Sequence, residues 1–470
     1  MEELSQAPSS PAPGSRSRDT PPGQVLAIVS AGVVLASLDL FIVNVALPDI
    51  SRDFGHAGLG ELSWVLNGYA IVYAALLVFF GRLADRHRLG DGFLLGVAIF
   101  TAASAACAAA SGVAMLVAFR LVQAAGAALL TPTSLGLVLA SYPPERRGGA
   151  VRTWTAIGGL AAALGPVIGG VLVTLNWRWI FLVNVPIGLV AMLVGRWKLP
   201  EVPGHEAPRP HPFDALLVTG GIGGLTFAIV KVNDWGWRSP GIGISFIAAI
   251  VLLAWFVWRC LRSDSPFVDP ALFRIRQFTG AALVMAPYSA AFGAMLLSVA
   301  LWEQTAWGWS ALKTGFAIAP GPLLVPITSL LFSGKLIARF GAAAVVTAGI
   351  FFFVVGLSYW ASVIGLQPNA ALVIMGMIPT GIGVGLTFPT LMGVAASGLR
   401  SSSFATGSGV INMIRQAALA IGVAIFVAIV GSPATPVERV AAFHRGWWIM
   451  VPIAALGLIP TFFLVRPGRK

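Results

Sequence analysis

Gly158-Gly159-Leu160-Ala161-Ala162-Ala163-Leu164-Gly165-Pro166-Val167-Ile168-Gly169-Gly170 lies inside an apolar run long enough to cross a bilayer. Five glycines and a proline weaken a helix in water. Lipid does not reward them either, because they bury little side chain. What they supply is a flat backbone face that another helix can approach closely, and a place to bend. Small residues are common in membrane helices, so packing alone also accounts for the stretch. The rest of the chain decides between the two.

That chain is a multi-span membrane protein. It is 57% hydrophobic and 10% charged, with a mean hydropathy of +0.86; a soluble domain carries roughly 25% charged residues. Fourteen spans are expected, at about 24–47, 61–81, 92–111, 113–139, 150–174, 178–197, 214–232, 241–260, 278–302, 312–337, 342–365, 369–396, 404–430 and 445–465. Residues 1–23 are rich in Ser and Pro and read as a disordered tail, and 466–470 as a second short tail. The first span would then serve as its own insertion signal.

The net charge of +12 follows from topology rather than from nucleic acid. With both tails on the cytoplasmic side, 21 of the 30 Lys and Arg residues fall on that side and seven on the other; Arg120 and Arg415 lie within spans. This is the asymmetry of the positive-inside rule. Cys107 and Cys260 are far apart, and no two histidines share a helix face at ligand spacing, so neither a disulfide framework nor a metal site is expected. No GxxxxGK[ST] loop occurs, which argues against ATP-driven transport by this chain alone. An enzyme is disfavoured too, since no nucleophile or acid/base cluster is visible.

Two linkers rich in Pro and charge, 198–213 and 261–277, bracket the seventh and eighth spans. Removing that pair leaves six spans on either side: a half at 24–198, a two-span linker region at 199–277, and a half at 278–465. The halves carry a weak repeat. Gly81-Arg82-Leu83-Ala84-Asp85-Arg86 follows the second span as Gly334-Lys335-Leu336-Ile337-Ala338-Arg339 follows the tenth. Gly126 to Thr133 resembles Gly383 to Thr390 in the fourth span of the later half. Duplicated halves that rock about a central site are a transporter feature.

These motifs resemble the major facilitator superfamily, and within it the fourteen-helix drug/proton antiporter branch. Leu38 to Pro48 is similar to that branch's first-helix motif, Gly81 to Arg86 to the loop signature, Arg120 to Gly126 to the fourth-helix motif, and Gly158 to Gly170 to the antiporter motif of the fifth helix. Trp177 to Pro186 is also similar. The loop signature departs from the family pattern: His87-Arg88-Leu89-Gly90-Asp91-Gly92 thins its basic end. The resemblance implies an all-α membrane protein with the major-facilitator fold: two pseudo-symmetric six-helix halves plus two linker helices. It implies a proton-coupled exporter of amphipathic small molecules (drugs, antibiotics or secondary metabolites) in the bacterial cytoplasmic membrane. Such a protein needs no cofactor beyond the proton gradient, binds no nucleic acid and acts as a monomer. The alternatives are a symporter or facilitator for a metabolite, and a transporter-like receptor or scaffold.

Ionisable residues deep in a span are candidates for function. Asp39 lies about 22 Å and Arg120 about 18 Å from the cytoplasmic face at 1.5 Å per residue, so one depth suits both. Burial favours a neutral carboxyl and a neighbouring guanidinium the charged one. Motion that parts such a pair therefore changes proton occupancy, which is what coupling requires; a static contact is the plainer account. Asn44, Asn67, Tyr73, Gln123, Trp154, Tyr288, Arg415 and Gln416 are candidates for a substrate cavity, although aromatics in membrane helices more often pack. Gly81, Asp85 and Arg86 form the inner latch in the family this chain resembles. Gly158, Gly165, Pro166, Gly169 and Gly170 are expected to seal the cavity. Glu303 is expected at the outer rim beside Trp302, either as a belt anchor or as a second acid. Trp235, Trp237, Trp307, Trp309, Trp447 and Trp448 are expected in the interfacial belt.

Overall fold

The computed structural model describes residues 20–84, 86–202, 211–263, 265–397, 399 and 404–464. Helix is the only regular structure among the described residues, as lipid demands: a spanning backbone must satisfy its own N–H and C=O groups, and a helix does so within one segment. The first half comprises α1 (Pro22–Asp53), α2 (Leu59–Ala84), α3 (Leu89–Ala108), α4 (Val113–Ser141), α5 (Pro144–Leu175), α6 (Trp179–Leu182) and α7 (Asn184–Lys198). The linker pair is α8 (Pro212–Trp235) and α9 (Pro240–Arg262). The later spans are α10 (Arg276–Thr305), α11 (Ala311–Ile318), α12 (Pro320–Ile327), α13 (Gly334–Val363), α14 (Ala370–Ser397), α15 (Phe404–Val430), α16 (Pro436–Ala455) and α17 (Leu458–Leu464).

Among the described residues, thirteen stretches are long and apolar enough to cross a membrane. One of them, Ala311–Val363, has 53 residues, far more than the roughly 20 that a bilayer needs. It turns at Gly341, whose φ of 81° and ψ of 159° leave the helical region, a conformation open to glycine at little steric cost. It therefore holds two spans, as expected from the two apolar runs on either side. Three spans are less regular than their apolarity suggests. The first arm of 311–363 is divided into α11, α12 and a π turn at Thr328–Ser333, because Pro320, Pro322 and Pro326 each lack an N–H for the ladder. The span expected at 178–197 is interrupted at Val183. The last span begins at Pro436, nine residues before its expected start at 445. A reciprocal cap between Thr435 and Glu438 starts that helix ahead of its apolar run.

The repeated glycines make the same contact twice. A Cβ placed on Gly126 of α4 would lie 2.6 Å from the Phe100 nitrogen of α3, and one on Gly383 of α14 would lie 2.6 Å from the Gly349 oxygen of α13. Two helix pairs are thus held at backbone distance by equivalent glycines. Gly126→Leu is expected to drive α3 and α4 apart, costing about 1–3 kcal/mol by overpacking. A thermal shift of the purified protein checks this; an unchanged melting temperature would contradict it.

The linker pair sits on the seam. Within it, Asp214 of α8 is ion-paired to Arg259 of α9. Toward the first half, Trp64 of α2 meets Phe227 of α8 at 6.3 Å. Toward the second, Asn233 of α8 donates to the Ala428 carbonyl of α15 at 2.8 Å. Helix α9 turns its apolar side outward, with Ile247, Trp255 and Trp258 all exposed, as suits a lipid-facing helix.

Candidate transport site

Asp39 of α1 is fully buried, and three side chains from two other helices reach it. Arg120 of α4 donates from Nη1 to Asp39 Oδ2 as an ion pair. Gln123, one turn along α4, donates from Nε2 to Asp39 Oδ1 at 2.8 Å. Asn184, at the start of α7, donates to the same oxygen at 3.4 Å. The guanidinium is held from its own side as well: Nη1 reaches Gln123 Oε1 at 2.6 Å, Nε reaches the Val65 carbonyl of α2 at 3.1 Å, and its plane lies 4.1 Å from the centre of the Tyr69 ring. Ser104 of α3 accepts the second amide proton of Gln123 at 2.8 Å and passes its own to the Phe100 carbonyl. One carboxylate thus ties together α1, α4 and α7 directly, and α2 and α3 through Arg120 and Gln123.

This corrects the expectation for Gln123. It is not on a cavity wall: it is fully buried, with its amide nitrogen donating to Asp39 and Ser104 and its oxygen accepting from Arg120. Ser104 is a member of the network that the sequence did not single out, since a serine in a run of alanines carries no signal. Asn184 lay within a quoted motif, but nothing in the spacing linked it to Asp39, 145 positions away.

The glycine stretch packs on the opposite side of α1. A Cβ on Gly158 would lie 2.7 Å from Val33, one on Gly165 2.8 Å from Phe41 Cβ, and one on Gly169 2.7 Å from Val45. These glycines bracket the turns of α1 that carry Asp39. The other side of α5 meets the second half. A Cβ on Gly170 would lie 2.7 Å from the Ala311 oxygen, and one on Gly315 of α11 would overlap the Pro166 carbonyl oxygen. Helix α5 is therefore wedged between the acid-bearing helix and α11. Gly159, by contrast, faces open space.

This seam lies at the end of the bundle away from the start of α1, called here the far end. One further hydrogen bond crosses the seam at this end, and a cluster within the first half braces it. Gln304 of α10 donates to the Val45 carbonyl of α1 at 3.0 Å. Asp53 accepts from Arg178 at 2.6 Å and from Trp177 at 3.0 Å.

The remaining expected residues are spread more widely. Tyr73 stacks on Tyr69 with ring centres 5.9 Å apart and bonds to Thr131 at 3.2 Å. Tyr288 is buried between Phe353 and Phe388. Arg415 lies with its guanidinium 5.6 Å from the centre of the Phe388 ring. Gln416 and Asn67 are buried, and neither the Gln416 oxygen nor either Asn67 amide atom has a partner. Trp154 is half-buried and packs within the first half. Asn44 turns back to the Leu40 and Phe41 carbonyls of its own helix. Asp85 lies outside the described residues, whereas Gly81 ends 3.9 Å short of Pro132 for an added Cβ and Arg86 has a partner. Near Asp91 a cavity of about 350 Å³ opens between α3 and α7, where Arg88 pairs with Glu201 at 3.3 Å.

Glu303 is not a belt residue. It is fully buried inside the protein, and neither carboxylate oxygen has a hydrogen-bond partner. Trp302, Trp307, Trp309 and Trp447 are not belt residues either. Trp302 meets Trp307 edge-on at 6.4 Å and Trp447 edge-on at 5.8 Å, and Trp307 meets Trp309 at 4.9 Å. A helix-end tryptophan suits the interface and a packed cap equally well, and only the neighbours distinguish them. Trp235, Trp237 and Trp448 are exposed, as expected of belt residues.

Residues 29–423 match the family profile of the Major Facilitator Superfamily. The chain is 34% identical over 426 residues to the methylenomycin A resistance protein of Bacillus subtilis (strain 168), covering 87% of this chain and 88% of that one. It is 31% identical over 438 residues to the tetracenomycin C resistance and export protein of Streptomyces glaucescens, covering 92% and 78%. Its fold matches a POT family transporter solved in complex with 5-aminolevulinic acid, with a TM-score of 0.70 at 16% identity, over 95% of this chain and 97% of that one.

Proposed function

The chain belongs to the Major Facilitator Superfamily, and from that premise we propose that it is a proton-coupled antiporter exporting amphipathic small molecules by alternating access. In this reading it sits in a bacterial cytoplasmic membrane with both termini cytoplasmic, so that the far end faces outward. Relatives that confer resistance to antibiotics or export them support the direction of transport.

One observation carries the reading: a single buried carboxylate is shared by three helices and packed, through α1, against the glycine face of α5. While Asp39 is charged, it holds Arg120, Gln123 and Asn184 to α1. A proton arriving on Asp39 removes the charge that Arg120 answers. Arg120 keeps Gln123, Val65 and the Tyr69 face, so it is not left bare, and α1 is freed relative to α4. Because α5 is in backbone contact with α1 on one side and α11 on the other, movement of α1 reaches the seam between the halves. Close packing makes that seam bistable rather than continuously deformable. Glu303 is a second buried carboxyl, without an ion-pair partner among the described residues, that can take up a proton.

The test is transport in proteoliposomes. With an imposed pH gradient, antibiotic-like compounds should move against the proton flow, and a protonophore should abolish the movement. Transport that ignores the gradient would make the protein a facilitator instead.

A further inference from the structure

A half-buried cation with no carboxylate beside it among the described residues stands near the middle of α15. Arg415 is the twelfth residue of this 27-residue helix, which places it near mid-membrane at 1.5 Å per residue. Its Nε has no hydrogen-bond partner, and among the described residues no carboxylate lies within ion-pair distance of it. Arg120, the fully buried arginine among the described residues, is by contrast compensated by Asp39. An uncompensated charge within a membrane protein is costly, and such residues mark the paths of substrates and ions.

What surrounds Arg415 is aromatic. The Phe388 ring under the guanidinium is flanked edge-on by Tyr288 at 5.2 Å and Phe292 at 5.3 Å. Phe292 in turn meets Phe41 of the first half at 6.5 Å. Helix α15 itself packs on α2 of the first half, where a Cβ on Gly409 would lie 3.8 Å from Val78. The site is thus built from both halves, where a transporter of this architecture holds its substrate.

We propose that Arg415 anchors an ionised acid group of the transported compound, with the Phe388–Tyr288–Phe292 cluster receiving its flat apolar part. A guanidinium offers a carboxylate a bidentate, charge-assisted contact that no neutral group matches. The adjoining rings select an organic acid over a small inorganic anion, which would use the charge alone. The proposal rests on the exporter reading for the direction of transport, but not for binding.

The test is equilibrium binding of anthracene-9-carboxylate and its uncharged amide to the full-length protein in nanodiscs, corrected with empty nanodiscs. The wild type should bind the acid at least about tenfold more tightly than the amide, as befits a charged hydrogen bond. Arg415→Gln should bring the two to equal affinity by weakening the acid alone, and Arg415→Lys should keep part of the preference. Acetate should compete poorly. The proposal is overturned if the wild type does not prefer the acid, if Arg415→Gln keeps the preference, or if acetate competes as well as the aromatic acid. The wild-type comparison holds whether or not a variant folds. A preference for the acid without gradient-driven transport would sink the exporter reading and leave the anchor standing.

Discussion

Asp39→Asn protein inserts in the membrane but loses pH-gradient-driven export, falling to the level of protein-free liposomes. Asparagine keeps the shape and an acceptor for Gln123 and Asn184, so the protein still folds around it. It cannot carry the proton, and it leaves Arg120 without a counter-charge. Breaking a buried pair on one side costs about 3–5 kcal/mol, so the variant's melting temperature should drop. The double variant Asp39→Asn/Arg120→Gln removes the orphan charge and should recover most of that loss. If the pair only held helices together, the double variant would transport again. If Asp39 carries the proton, stability returns and coupling does not. Gradient-driven export by the double variant at the wild-type rate would refute the proposed role of Asp39.

Gly315→Leu blocks closure of the far end. Any side chain there overlaps the Pro166 carbonyl oxygen of α5, and backbone cannot yield as a flexible side chain can. Overpacking of this kind costs about 1–3 kcal/mol, and here the cost falls only on the state in which the halves meet. That shifts the balance roughly 5- to 150-fold toward the parted state, at tenfold per 1.4 kcal/mol. Distance measurements between spin labels on α5 and α11 should show the longer separation becoming dominant, and export should slow with it. Gly165→Leu makes the complementary case. Its added side chain meets Phe41 within the first half, so it should uncouple α5 from α1 without parting the halves. Coupled export surviving both substitutions would reduce the glycine stretch to packing alone.

The pairing of Asp39 with Arg120 was legible in the sequence. Each is an ionisable residue inside an apolar span, and helical rise places both at one depth. Gln123 was legible as a polar residue but not in its role, because that depends on Asp39 and Ser104 arriving from two other helices. Gly315 carried no signal: a glycine near a helix start is ordinary until Pro166 is seen against it. Glu303 and the Trp302–Trp307–Trp447 cluster were misplaced for a related reason, since apolarity at a span end does not say whether lipid or protein covers it.

By itself the sequence determined that this chain spans a membrane about fourteen times, in two related halves, with a rare buried acid and a flat glycine face. Lipid enforces those features locally: every backbone group must be bonded within its own helix, every charge in a span must be justified, and every run of twenty apolar residues is counted. Which faces meet is a different matter. Tertiary structure alone decided that the glycine face lies between Asp39's helix and the second half, that Asn184 and Ser104 complete the acid's surroundings, and that no carboxylate among the described residues pairs with Arg415. In lipid no hydrophobic force chooses one helix face over another. Close packing and buried polar partners choose it, and these depend on residues far apart in the chain.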